Sequence, residues 1–423
     1  MLRKGAVAAV AATAAAFMAV PAEAAPDESL AMGRYIVVLE DSVAHPDAVA
    51  RAQATQLGGD IGHVYSHALS GYSAMLPTAQ VAELRANPRV AAVTPDRPVQ
   101  ATAQTTPTGI DRIEGDLSST VSGNGSGSVN VGVAVIDTGI DLQHTDLNVV
   151  GGTNCDIPFL PPDDDNGHGT HVAGTIAAED NGQDVVGVAP GARLYAVKVL
   201  NAAGAGFTSN VVCGIDWVAA NAQALNIKVA NMSLGGGGED DGNCGRSNND
   251  PEHTAICDAV AQGVTFAVAA GNDNANYRDF TPAAYNEVLT TTAIADFNGQ
   301  PGGGAASTCR SDVDDTAASF SNFTAVGSAD VGHTIAAPGT CILSTRSGGG
   351  TTTFSGTSMA SPHMAGTAAL CIAGPCAGMS PAQVINKLRN DAAAQPASFG
   401  FTDDPRTPNG NRYYGHLGHA GGY

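Results

Sequence analysis

The sequence predicts an α/β chain built on a doubly wound, mostly parallel sheet flanked by helices, preceded by a small α+β unit of ferredoxin-like pattern. Three observations predict this. From Thr108 onward, short β-rich runs alternate with helical stretches, the order a parallel sheet imposes because each strand needs a crossover to return the chain. Residues 34–100 carry a separate strand and helix rhythm and no cysteine, whereas all eight cysteines lie after residue 150. The chain has 423 residues, 43% of them hydrophobic and 14% charged, against about 25% charged in an ordinary globular domain, so it has ample material for a large core.

At the N-terminus, Arg3 and Lys4 precede an apolar run from Ala6 to Val20, and Pro21 to Ala25 offers the small residues of a cleavage site. Residues 1–25 are therefore expected to be a secretory signal peptide. The run is shorter than the roughly 20 residues that span a bilayer, and no later stretch is long enough, so no membrane association is expected after its removal. Export implies an oxidising, extracellular destination. An even number of cysteines without a CxxC pair then reads as disulfides, with connectivity open and Cys371–Cys376 one candidate. Forty acidic residues against nineteen basic ones give a formal charge of −21, which argues against a nucleic-acid partner.

Within the first block, Arg34–Leu39 is a β-branched run, Pro46–Leu57 has helical spacing, and Gly71–Leu76 alternates. Pro77–Asn87 again has helical spacing and Arg89–Thr94 reads as a last strand. With Ile61–Tyr65 as the remaining strand this is β-α-β-β-α-β. The segment Pro95–Pro107 lacks apolar periodicity and reads as an exposed, cleavable linker. Beyond it, the runs Val129–Ile136, Arg193–Leu200, Val229–Leu234 and Val264–Ala270 look like buried parallel strands. Helices fit at about Gly169–Glu179, Asn210–Asn226 and Glu252–Gln262. In such sheets ligands bind at the carboxyl ends of the strands, so chemistry is expected immediately after them.

Asp137 stands at the end of the first of these strands. Taken alone, an acidic residue there is equally a cap or turn former. Asn166–Thr175 places His168 and His171 at a glycine-flanked junction of loop and helix, without the HExxH glutamate of a metal site. Thr353–His363 carries Ser358 ahead of an apolar helix from Met364 to Ala373, where a serine on its own is an ordinary cap. Together the three supply what nucleophilic acyl transfer needs: a hydroxyl, a base, and an acid that orients the base. Their order along the chain is Asp, His, Ser, and no GxSxG elbow is present.

These segments, Val135–Gly139, His168–Gly174 and Gly356–Pro362, resemble the signatures of the subtilisin-like serine peptidases, most nearly their secreted, disulfide-containing proteinase K-like branch. The resemblance covers roughly residues 103–400, and the block 34–100 looks like the family's inhibitory propeptide. It implies three regions: signal peptide 1–25, propeptide 26–102 and a peptidase domain 103–423, with self-cleavage near Thr102. It implies that Asp137 orients His168, that His168 is general base and then acid, and that Ser358 attacks the scissile carbonyl, leaving His171 to packing. Ala269–Asp273 resembles the family segment whose asparagine, here Asn272, helps form the oxyanion hole. Ser233, Leu234 and Gly235, with Gly204, Ala205 and Gly206, look like the two edges that clamp a substrate backbone. Leu234–Gly236 and Ala269–Gly271, including Ala270 and Gly271, would wall a pocket for a large apolar or aromatic residue before the scissile bond.

No cofactor is expected for catalysis. The resemblance implies a structural calcium site at Gln104, Asp146 and Asn181, completed by backbone oxygens of Glu179–Val185. The acidic runs Asp163–Asp165 and Asp312–Asp315 read as solvated loops, and the Gly/His tail after Gly415 as a frayed terminus. Expected partners are protein or peptide substrates and the chain's own propeptide, on a monomer. Two rival readings are a catalytically silent binding protein on the same fold and an esterase using the same acyl chemistry; the intact Asp, His, Ser and Asn set opposes the first, the missing elbow and paired glycine edges the second.

Overall fold

A computed structural model describes residues 32–96 and 104–423. The signal segment, Thr102 and most of the linker lie outside the described residues. The chain divides into two compact units, residues 1–101 and 102–423.

In the first unit, β1 (Met32–Leu39), β2 (Asp60–Ser66), β3 (Ser70–Pro77) and β4 (Val90–Pro95) form an antiparallel sheet in the order β2-β3-β1-β4. This is the expected split pattern. Helices α1 (Pro46–Leu57) and α2 (Val81–Arg85) complete it, and Ala50, Leu57, Val81 and Leu84 pack with Val37, Tyr72 and Leu76 in one core. The second helix is shorter than its spacing predicts, because Thr78–Gln80 forms a separate 3-10 turn after Pro77.

The second unit is built on an eight-stranded sheet. Its strands are β5 (Gly132–Asp137), β6 (Val149–Asn154), β7 (Arg193–Lys198), β8 (Ile227–Met232), β9 (Thr265–Ala269), β10 (Leu289–Ala295), β11 (Thr316–Ala317) and β12 (Thr334–Pro338). The order runs β6-β7-β5-β8-β9-β10, with β11 and β12 both joined to β10, and every pairing is parallel except that of the two-residue β11. Both faces are covered, so a strand must be apolar on both sides. In β5, Val133 and Val135 enter one core while Ala134 and Ile136 enter the other. Helices α3 (His168–Ala177), α4 (Thr208–Asn221), α5 (Pro251–Ala261), α6 (Thr357–Ala373) and α7 (Pro381–Ala394) supply the covering layers, and a hairpin of β13 (Ile342–Thr345) and β14 (Thr351–Phe354) leads into α6.

Helix α6 begins at Thr357, a full two turns before the expected Met364, and runs through Pro362. Proline lacks the N–H that would bond the carbonyl four residues earlier, which here belongs to Ser358. Ser233 Oγ donates to that carbonyl instead, at 2.8 Å, so the helix survives its proline and gains a tie to the end of β8.

The eight cysteines form Cys155–Cys213, Cys244–Cys257, Cys309–Cys341 and Cys371–Cys376. Two expectations are overturned. The acidic runs are only partly solvated: Asp163 and Asp165 are exposed, but Asp164, Asp314 and Asp315 are buried, and the last pairs with the buried Arg112. The tail is not frayed either. Leu417 and Tyr423 are buried, Leu417 bridges to Ala336 of β12, and His419 Nε2 lies 2.8 Å from Glu114 Oε2. Leu417→Ala is therefore expected to cost about 2–5 kcal/mol in denaturant unfolding, as for a buried leucine; a cost near zero would show a loose terminus.

Candidate active site

Asp137, Ser233 and Asn272 all follow or end central strands, at the carboxyl edge of the sheet where the chain order switches direction about β5. Asp137 is fully buried at the end of β5. Its Oδ1 accepts from the Thr138 N–H at 2.7 Å and pairs with His168 Nδ1 at 2.8 Å. That bond fixes the tautomer: with Nδ1–H given to the carboxylate, Nε2 carries the lone pair at the partly exposed side of the ring. Burial alone would lower the His168 pKa, but the Asp137 charge and hydrogen bond, with Asp164 adding, outweigh it, and the imidazole sits above its ordinary value.

The junction holding His168 is fixed by residues the sequence reading did not assign. Asp164 Oδ1 accepts from Thr138 Oγ1, Asn166 N and Gly167 N, and Oδ2 accepts from the backbone and hydroxyl of Thr170. Thr138 Oγ1 in turn accepts from Gly169 N at 2.9 Å. A Cβ on Gly169 would overlap the Gly139 carbonyl, so only glycine lets α3 start this close to the end of β5. Lys198, also buried, reaches the Thr138 carbonyl and Asp165. His171 is buried, donates from Nε2 to Ile342 O at 3.0 Å and stacks on Phe354; burial lowers its pKa to about 3, so it is a neutral packing residue.

Ser358 occupies the first turn of α6, and its hydroxyl donates to the Ser233 carbonyl at 3.2 Å. The chain Ser361 Oγ to Asn231 Oδ1, Asn231 Nδ2 to Ser233 Oγ, and Ser233 Oγ to Ser358 O binds this turn to β8. Asn272 follows β9. Its Oδ1 accepts from Thr357 N at 2.8 Å and Thr357 Oγ1 at 3.0 Å, and Thr357 Oγ1 accepts from Gly271 N. A backbone N–H can only donate, so the carboxamide oxygen is fixed and Nδ2 is left as a donor without a partner among the described residues. Gly271 adopts φ +99°, and Asn322 bonds Ala270 O, Asp273 N and Ala275 N around it. Thr357 and Asn322 were missed; both act across long sequence separations.

Two cavities share Ser233–Gly237 as a wall. One, of about 530 Å³, lies between the predicted edges Gly204–Gly206 and Ser233–Gly235 with His168 at its rim. The other, of about 410 Å³, is lined by Ser358, Asn272, Ala270 and Gly271 together with Leu234. His168 thus lines one cavity and Ser358 the other, and the two cavities share the wall Ser233–Gly237.

Gln104, Asp146 and Asn181 also come together, around the loop Glu179–Val185. Asn181 Nδ2 donates to Asp146 Oδ1 at 2.9 Å, and Gln104 Nε2 donates to the carbonyls of Glu179 and Val185. Asp146 is fully buried, and burial, with Asp184 and Glu179 adding against bonds from Val185 and Asn181, raises its pKa to about 7. As they stand, Gln104 and Asn181 each present an amide nitrogen to these oxygens, and Asn181 Oδ1 accepts from Gln183 N; with both amides turned over the set becomes all-oxygen, the donor type that suits a hard divalent cation.

Residues 128–416 match the model of the subtilase family, and residues 34–102 match that of peptidase inhibitor I9. The chain belongs to the subtilase family. It is 35% identical over 375 residues to subtilisin NAT of Bacillus subtilis subsp. natto, covering 86% of this chain and 87% of that one. It is 37% identical over 389 residues to alkaline serine exoprotease A of Vibrio alginolyticus, covering 85% of this chain and 64% of that one. A crystal structure of a cold-adapted subtilisin-like serine proteinase aligns with a TM-score of 0.53 at 32% identity, over 69% of this chain and 89% of that one. This subtilase is accordingly a subtilisin-type serine endopeptidase that carries an I9 inhibitor segment.

His168 titration by NMR in the subtilase should give a pKa above the usual value of about 6.5, and Asp137→Asn should bring it down, since burial is then opposed only by the more distant Asp164 charge. An unchanged value in the variant would show that the pair is not coupled.

Proposed function

We propose that this subtilase is a secreted, self-processing endopeptidase of the proteinase K-like branch, in which Ser358 is the nucleophile, His168 the general base and then acid, and Asp137 the residue that orients the base. The 2.8 Å contact of His168 Nδ1 with buried Asp137, at a cavity that shares its Ser233–Gly237 wall with the one lined by Ser358, carries this reading. In the resting site the hydroxyl rests on Ser233 O; with substrate bound it turns to His168 Nε2, because catalytic hydrogen bonds that are absent or long in a free enzyme often form only in the complex. His168 takes the Ser358 proton as Oγ adds to the carbonyl carbon, then returns it to the leaving amine as the acyl-enzyme forms. Water repeats the sequence to release the acid.

The oxyanion of each tetrahedral intermediate is met by Asn272 Nδ2 and the Ser358 N–H, and Thr357 keeps the carboxamide oxygen turned away from it. The two glycine-rich edges add to the substrate backbone as neighbouring strands, which gives broad specificity. Small residues at Ala270 and Gly271 leave the pocket beside Ser358 open to a large apolar or aromatic side chain. Residues 1–25 serve as signal, 26–102 as an intramolecular inhibitor, and 103–423 as the monomeric peptidase after cleavage near Thr102. Calcium held by Gln104, Asp146 and Asn181 would neutralise the buried carboxylate and tie the start of the mature chain to the loop after α3.

Ser358→Ala should abolish self-processing and casein hydrolysis, and Asn272→Ala should lower turnover by roughly 100- to 1,000-fold, the established scale for this donor in subtilisin itself. An alanine variant that matures and digests casein as the wild type does contradicts the nucleophile assignment. A chelator should lower the melting temperature more at about pH 8 than at about pH 6, because protonated Asp146 competes with the cation below its raised pKa. Melting that ignores the chelator contradicts the calcium site.

A further inference from the structure

We propose that Glu252 makes this enzyme select a cationic side chain, lysine or arginine, at a substrate position upstream of the residue that fills the pocket beside Ser358. The inference rests on the peptidase reading above and concerns a different pocket from the apolar one. Glu252 stands in the first turn of α5, is 8% exposed, and lines the 530 Å³ cavity between the two substrate-clamping edges. Neither of its carboxylate oxygens has a hydrogen-bond or ion-pair partner among the described residues, and neither is sealed from solvent, so they face the cavity.

Helix capping does not account for it. Asp250 is the cap of α5 and already accepts from the N–H groups of Glu252 and His253. An unpaired carboxylate so deeply placed costs several kcal/mol unless a cation meets it. The other cavity walls include Leu200, Val211 and Leu234, which suit the methylene stem of a lysine or arginine whose head reaches the carboxylate. A formal charge of −21 on the chain favours the approach of cationic peptides.

The groups facing Glu252 are Asp250, His253 and Tyr285. Burial, with Asp250 adding and His253 opposing, raises the Glu252 pKa to about 7, so its charge develops as pH rises through neutrality.

The test is a peptide panel with phenylalanine fixed before the scissile bond and lysine or its uncharged analogue norleucine scanned through the preceding positions. kcat/KM is measured for the mature enzyme, Glu252→Gln and Glu252→Leu. At one position the wild type should prefer lysine by about tenfold or more at about pH 8, with the ratio falling toward about pH 6. The ratio should drop to about one in Glu252→Gln and below one in Glu252→Leu. A wild type without lysine preference at any position, or a preference that survives in Glu252→Gln, overturns the inference. The pH series needs no variant to fold. Turnover without discrimination sinks this inference alone, whereas no turnover of any peptide sinks the triad assignment with it.

Discussion

A carboxylate with no exposed surface, held at the end of the central strand, is the constraint on which the site depends. Leaving a charge there is costly, and the cost is acceptable only because Asp137 Oδ1 takes the Thr138 N–H and the His168 ring N–H. The same two bonds decide where the imidazole points and which nitrogen keeps its lone pair. Around them, Asp164 gathers the loop from Asn166 to Thr170, so the backbone that carries the ring cannot shift without breaking several hydrogen bonds at once. The strand supplies position, the carboxylate supplies orientation, and the buried loop supplies rigidity.

The nucleophile side is organised by a different device. Pro362 leaves the Ser358 carbonyl without its helical partner, and Ser233 Oγ fills that gap from the end of β8. A local defect in α6 is thereby turned into a fixed distance between the serine turn and the strand that forms a substrate edge. Thr357, one residue before Ser358, orients Asn272, so the proposed nucleophile and the proposed oxyanion donor are set from adjacent positions of one helix.

Much of this was legible in the sequence because parallel strands covered on both faces must be apolar throughout, as Val133–Ile136 and Leu194–Val197 are. Strand ends were read too long wherever the apolar run outlasts the ladder, as at Val199 and Leu200. Strands β10 and β12 escaped because alanine, and in β12 a terminal proline, interrupt their β-branched residues and leave no clear alternation. Asp164 was misread since three consecutive aspartates suggest a wet loop; only tertiary packing reveals five donors converging on one of them. Thr357 and Asn322 act on partners 85 and 52 residues away, beyond the reach of any local pattern. The tail did carry a signal, since Leu417, Ala420 and Tyr423 recur every third residue, and all three are buried.

The account stands on proton coupling between the Ser358 hydroxyl and the His168 ring. Treating the mature enzyme with an active-site-directed phosphonate and sequencing the tagged peptide tests it most directly. A single adduct on Ser358, with labelling lost in His168→Ala, is the predicted result. An adduct elsewhere, or labelling of Ser358 at an unchanged rate without the imidazole, would contradict it.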